Sequence, residues 1–113
     1  VTDVIQLPFG AFAASNGANN NIALPSKSFI RITGPTGAFS ISGIAKPDNP
    51  DGRVVILYNT VGYAMTIANE EGTSTAANRI LTGQGDVTTT TIGAVSLIYS
   101  VTDARWILLT SLL

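Results

Sequence analysis

The sequence holds no cysteine and no histidine. Those absences exclude disulfides, thiolate nucleophiles, the commonest zinc ligands and every mechanism built on an imidazole base. Missing cysteine leaves the redox compartment undecided. Charge is scarce too: Asp, Glu, Lys and Arg make up 12% of the 113 residues, against a usual share of about 25%. With a net charge of −1 and a pI near 5.0, the chain has no basic field for nucleic acid or an anionic membrane. No apolar run approaches the roughly 20 residues of a spanning helix, so no membrane insertion is expected. The chain starts at Val1 without methionine or a signal-like segment and reads as processed or as a piece of something longer.

What is present is a succession of strands within one domain, 1–113. "SFIRIT" (28–33) and "AFSISGI" (38–44) alternate apolar and polar residues with period two. The "GPTG" between them reads as a turn, so the pair reads as a hairpin. "KPDNPDG" (46–52) is a loop. Further strands are expected at 53–59, 64–69, 79–82, 86–91, 94–100 and 105–112, a short one at 3–7 and another at 21–24. Residues 11–20 start with alanines but end in Asn and Gly, enough for one helical turn at most. Short strands separated by frequent turns indicate an all-β sandwich or barrel.

"VVILY" and "WILLTSLL" carry apolar residues on both faces, and "VSLIY" nearly so. An antiparallel sheet with one wet face should alternate, so these strands are covered on both sides. The chain has no helix to supply that cover. Contact with further copies of the chain is the economical answer; burial at the centre of a closed barrel under long loops is the alternative.

Candidate chemistry centres on "NEEGTSTAANRI" (69–80). Glu70 and Glu71 are the only adjacent carboxylates, but neighbours in extended chain point to opposite sides. A glycosidase pair would need a partner from Asp3, Asp86 or Asp103 at about 5–9.5 Å. "DNPDG" (48–52) faintly resembles a calcium loop without its closing glutamate. The serines lack a base other than Lys27 or Lys46, and "GQG" (83–85) lacks a following helix. No catalytic residue, metal site or cofactor is therefore assigned. The candidate ligand-binding residues are exposed-loop positions: Asn19, Asn20 and Asn21, able to hydrogen-bond a sugar; Tyr63 at a hairpin tip, able to stack on one; and Glu70 and Glu71. For each, a plain connecting or capping role is the simpler reading.

From Gly52 onward the order of elements resembles a module found at the ends of bacteriophage tail-fibre, tail-spike and tail-needle proteins. A Gly-x-hydrophobic strand ends in Asn (Gly52 to Asn59), and a second strand ends in Asn with an acidic residue (Ala64 to Glu71). Next come the Ser-Thr-Ala-Ala-Asn-Arg-Ile loop (Ser74 to Ile80), a hydrophobic strand (Ala94 to Ser100) and a final Arg105-Trp106 strand. The match covers the C-terminal half; residues 1–50 carry none of it. The resemblance implies an antiparallel β-sandwich of jelly-roll, tumour-necrosis-factor-like type. It further implies assembly as a homotrimer at the virion's fibre or needle tip and binding of a bacterial surface receptor, a glycan by expectation. Ala76, Ala77, Asn78 and Trp106 read as structural in that setting. The competing readings are a structural decoration or trimerisation module without ligand, and a glycan-cleaving enzyme using carboxylates gathered across subunits.

Overall fold

The computed structural model describes residues 5–89 and 91–112. Among them are ten strands: β1 (Phe9–Ala13), β2 (Gly17–Asn19), β3 (Phe29–Thr33), β4 (Phe39–Ile41), β5 (Val54–Asn59), β6 (Met65–Ile67), β7 (Ile80–Leu81), β8 (Val87–Thr89), β9 (Gly93–Ser100) and β10 (Arg105–Leu112). A single 3-10 turn, Ala76–Asn78, precedes β7. The strands form two sheets, β1-β3-β5-β9-β10-β7 and β2-β4-β6-β8. The chain is all-β, as its pattern of short alternating strands requires.

The pairing is mixed, which corrects the antiparallel jelly-roll expectation. In the first half the chain lays a strand in the larger sheet, turns a corner, lays one in the smaller sheet and returns one layer further along. Phe9 therefore stands beside Phe29, and Phe29 beside Ile56, all in parallel. Gly17, Phe39 and Met65 form the same parallel row in the second sheet. A lone parallel bridge, Ile22 to Ile44, joins the coils on the return path. This is the connectivity of a short β-solenoid of three coils. The second half closes it with antiparallel strands: β8 on β6, and β9 between β5 and β10.

The hairpin expected over 28–44 is thus a corner. Its two strands lie in different sheets and pair with the coils before and after. Gly34, at φ +104°, makes the bend; a Cβ there would sit 2.4 Å from the Ala14 carbonyl oxygen. Period-two alternation specifies a half-buried strand but is silent on which partner it takes. The link over 60–63 is likewise a corner between β5 and β6, not a hairpin tip. β1 and β2 replace the helical turn considered for 11–20. The strand expected at 21–24 reduces to the Ile22 bridge. Of the one at 3–7, residues 5–7 are outside any strand and the remainder lies outside the described residues.

The core lies between the sheets. Ile30, Ile32, Val55, Leu57, Val95 and Leu97 project from the larger one, and Phe39, Ile41, Met65 and Ile67 from the smaller, all buried. Because successive coils are in register, like stacks on like: Ile41 beside Ile67 and Ile30 beside Leu57. Trp106, 1% exposed, closes the core against Tyr99 in an edge-on contact of 5.2 Å. Its indole N–H donates to the Ile44 carbonyl at 2.9 Å, so burying the ring strands no polar atom.

The other face of the larger sheet is also apolar. One row across it runs Val54, Ile98, Ile107, Leu81, and another runs Phe9, Phe29, Ile56 and ends in the polar Ser96 and Thr110. The Phe9 and Phe29 rings stack at 4.7 Å, and Phe29 leans on Tyr58 at 5.6 Å. Arg31 lies over the Tyr58 ring and donates to the Thr60 hydroxyl at 2.8 Å. Phe9 is 73% exposed and Leu109, beside a bulge in β10, is 56% exposed. No helix in the described residues covers this face.

Candidate functional site

Two of the polar stretches singled out from sequence meet at one corner of the fold. Residues 19–21 leave β2 as residues 73–79 cross beneath them, and the side chains of both knit the layers together. Asn19 is buried: its carboxamide oxygen accepts from Ser15 N–H at 2.9 Å, and its amide donates to the carbonyls of Ser15 and Ser40, each at 3.0 Å. The Asn20 carboxamide oxygen accepts from the hydroxyls of Ser42 and Thr73. Asn21, at φ +48°, presents its carboxamide oxygen to Thr75 N–H, the Thr75 hydroxyl and the Asn78 amide at 2.9–3.1 Å. Its own N–H donates to the Ser74 hydroxyl, which is 2.7 Å from that of Ser42.

The loop can come this close because position 43 is glycine. A Cβ on Gly43 would stand 2.4 Å from the Ser74 hydroxyl oxygen and 2.8 Å from the Asn78 carbonyl oxygen, distances that side chains do not tolerate. Backbone bonds fix the remainder of the loop: Ile44 N–H to the Asn78 carbonyl and Trp106 N–H to the Arg79 carbonyl. The Tyr99 phenol donates to the Ala77 carbonyl at 2.7 Å, and burial raises its pKa. Arg79 folds back on its own loop, its Nε donating to the Ser74 carbonyl at 3.0 Å. The "STAANR" run is therefore a cross-brace, and its polar side chains are spent on the protein itself.

The other expected ligand residues are scattered. Tyr63 is 43% exposed on the corner after β5, where its carbonyl accepts from the buried Asn59 amide at 2.8 Å. Glu70, at φ +48°, forms an ion pair with Arg105 Nε. That hydrogen bond holds its carboxyl below the ordinary 4.5, against an opposing contribution from desolvation. Glu71 is exposed beside it. A depressed pKa is that of a carboxylate kept charged, whereas a general acid needs its pKa raised. Asp86, weighed as a partner, uses its carboxylate to accept from Asn69 N–H at 2.9 Å. Asp103 accepts from the Ser100 hydroxyl at 2.7 Å. Among the described residues no three acidic side chains gather where they could hold a metal ion, and no helix is long and apolar enough to cross a membrane.

A concave site lies elsewhere, at a stretch whose sequence indicates only a loop. A cleft of about 480 Å³ opens where the 22–26 return path faces the 44–53 loop. Ile44, Val55 and Trp106 form its base, with Leu24 and Ser26 along one side. Lys46, Asp48, Asn49 and Arg53 stand at the other. The guanidinium of Arg53 is held by the Lys27 carbonyl at 2.8 Å and the Pro25 carbonyl at 3.5 Å. Asn78 ties this lip to the polar corner, its carboxamide oxygen accepting from Lys46 N–H at 3.0 Å. The available signal was a proline-stiffened loop with a cation at each end, "KPDNPDGR". What the sequence does not reveal is that residues 22–26 come to face it.

No family model, no curated protein and no solved structure matches the chain.

Proposed function

We propose that the chain is a non-enzymatic, self-associating tip domain of a bacteriophage tail fibre or needle, working as a homotrimer that binds a saccharide on the host surface. The observation that carries this reading is the uncovered apolar face of the larger sheet. Central strands of about 20 Å length at ~4.8 Å spacing give six strands a face of about 500 Å². Covering such a face with neighbouring copies removes about 500 Å² from each copy, at the low end for specific interfaces. The face carries little charge: Arg31 is engaged with Tyr58 and Thr60, and Arg105 with Glu70. A patch of that size equals the largest apolar patch of a typical monomer, which is often a functional surface.

The receptor half of the reading rests on the order of motifs after Gly52 and on the cleft. The internally satisfied polar corner instead favours the alternative, a structural decoration or trimerisation module without ligand, because it removes most of the asparagines from contact with a partner. Fluorescently labelled protein incubated with host bacteria separates the two. Decoration competed away by purified surface polysaccharide is the expected result. Absence of decoration, with assembly intact, would leave only the structural module.

A further inference from the structure

We infer that the cleft between the 22–26 and 44–53 segments is a subsite for an acidic saccharide, a sugar ring carrying a carboxylate or a phosphate. The inference rests on the receptor-binding reading above and adds to it the place and the charge of the ligand. At about 480 Å³ the cleft falls within the roughly 300–1,000 Å³ of small-molecule sites, large enough for one or two sugar rings. Its apolar contact surface is the half-buried Leu24, since Ile44, Val55 and Trp106 behind it are each 1% exposed.

Its rim supplies the charge. Lys46 and Arg53 both line the cleft, and among the described residues neither has a carboxylate within ion-pair distance. Of the other arginines, Arg105 is paired with Glu70, and none of Arg31, Arg79 and Arg105 lines the cleft. In Arg53 one terminal nitrogen, Nη2, holds the carbonyls of Pro25 and Lys27. Nη1 and Nε make no hydrogen bond among the described residues, which leaves them free to donate to an anion. Asp48 and Asn49 line the same space and are suited to accept from, or donate to, ring hydroxyls. Two cations beside a carboxylate and a carboxamide match a ligand that is both anionic and polyhydroxylated. The lip is braced before any ligand arrives, by Asn78 on Lys46 N–H and by Arg53 N–H on the Pro50 carbonyl at 2.9 Å, which lowers the ordering cost of binding.

The test is a backbone-amide NMR titration with trigalacturonic acid, mannose 6-phosphate and neutral maltotriose. The two acidic probes are expected to shift amides in 44–53 and 24–26, with maltotriose weaker by about tenfold, the effect of one charge-assisted hydrogen bond. Trigalacturonate binding alone identifies a carboxylated sugar, and mannose 6-phosphate binding alone a phosphorylated one; either supports the site. Lys46→Gln, at an exposed position that leaves the backbone contact to Asn78 intact, should weaken the acidic probes by a similar factor. Equal binding of maltotriose, shifts confined to another surface, or an unaltered Lys46→Gln titration would overturn the inference. Decoration of bacteria undiminished by Lys46→Gln overturns the cleft and leaves receptor binding standing. Binding of an acidic probe in the cleft by a protein that decorates no cells has the opposite meaning.

Discussion

Replacing Trp106 by alanine removes the largest fully buried side chain in the fold. Three losses combine: the apolar area of the indole, the edge-on contact with Tyr99, and the N–H that serves the Ile44 carbonyl. Such truncations cost about 3–5 kcal/mol, with the larger value where neighbours cannot collapse into the space. Here they are strands, held by ladder bonds on both sides of β10, so the upper half of that range applies. A domain of this length has a total stability of roughly 6–17 kcal/mol, so the variant stays folded but melts lower by about 16–20 °C, at ~4 °C per kcal/mol. Trp106 is the only tryptophan, so the unfolding must be followed by far-ultraviolet circular dichroism. Protein concentration must be fixed, because association stabilises by mass action. Trp106→Phe should fall between, keeping most of the packing and leaving the Ile44 carbonyl without a donor, about 1–3 kcal/mol. A Trp106→Ala loss below about 1 kcal/mol would refute the placement of this ring in the core.

Gly43→Ala should destabilise by about 1–3 kcal/mol through overpacking, since its methyl meets Ser74 and Asn78; urea denaturation checks this, and a neutral result would show that the loop does not lie against position 43. Asn21→Ala removes the acceptor shared by Thr75 and Asn78 and should raise amide exchange over 73–79 with little change in the core strands. Exchange unchanged in that loop would contradict its role as a brace. The Glu70–Arg105 pair has a pH signature. Because the folded carboxyl titrates below 4.5, the pair contributes fully above that value and is lost as pH falls through the folded pKa. At about a third side-chain exposure for Glu70, Glu70→Gln should cost at most ~1 kcal/mol at neutral pH. The wild-type and variant stabilities should then converge below pH 4.5; a gap independent of pH would assign it to something other than the charge.

How far the fold could be read in advance depended on which interaction each residue serves. Alternation in "FIRIT" and "FSISG" marked real strands because one face of each meets the core. The partners were misread because a parallel coil and an antiparallel hairpin impose the same alternation; Gly34 decides between them, through a close approach to Ala14 that lies 20 positions away in sequence. β1 escaped notice because "FGAFA" has few side chains large enough to alternate; its strand conformation comes from the ladder to β3. The both-face apolarity of "VVILY" and "RWILL" was legible, and the structure places one set in the core and the other on the open face. Asn19, Asn20 and Asn21 looked like ligand residues because unpaired amides suit sugars; in the fold the Asn19 carboxamide is buried on Ser15 and Ser40, and the carboxamide oxygens of Asn20 and Asn21 serve the brace. Conversely, the cleft was invisible in sequence because its two sides are separated by about 20 residues of chain and meet only when the coils stack.

The uncovered face of the larger sheet carries the account, and sedimentation equilibrium at micromolar concentration tests it most directly. The wild-type chain should sediment at about three times its 11.7 kDa, while Ile56→Asp, which places a charge at the centre of that face, should sediment near a single copy with its circular dichroism unchanged. A folded wild-type monomer, or an assembly indifferent to Ile56→Asp, would contradict it.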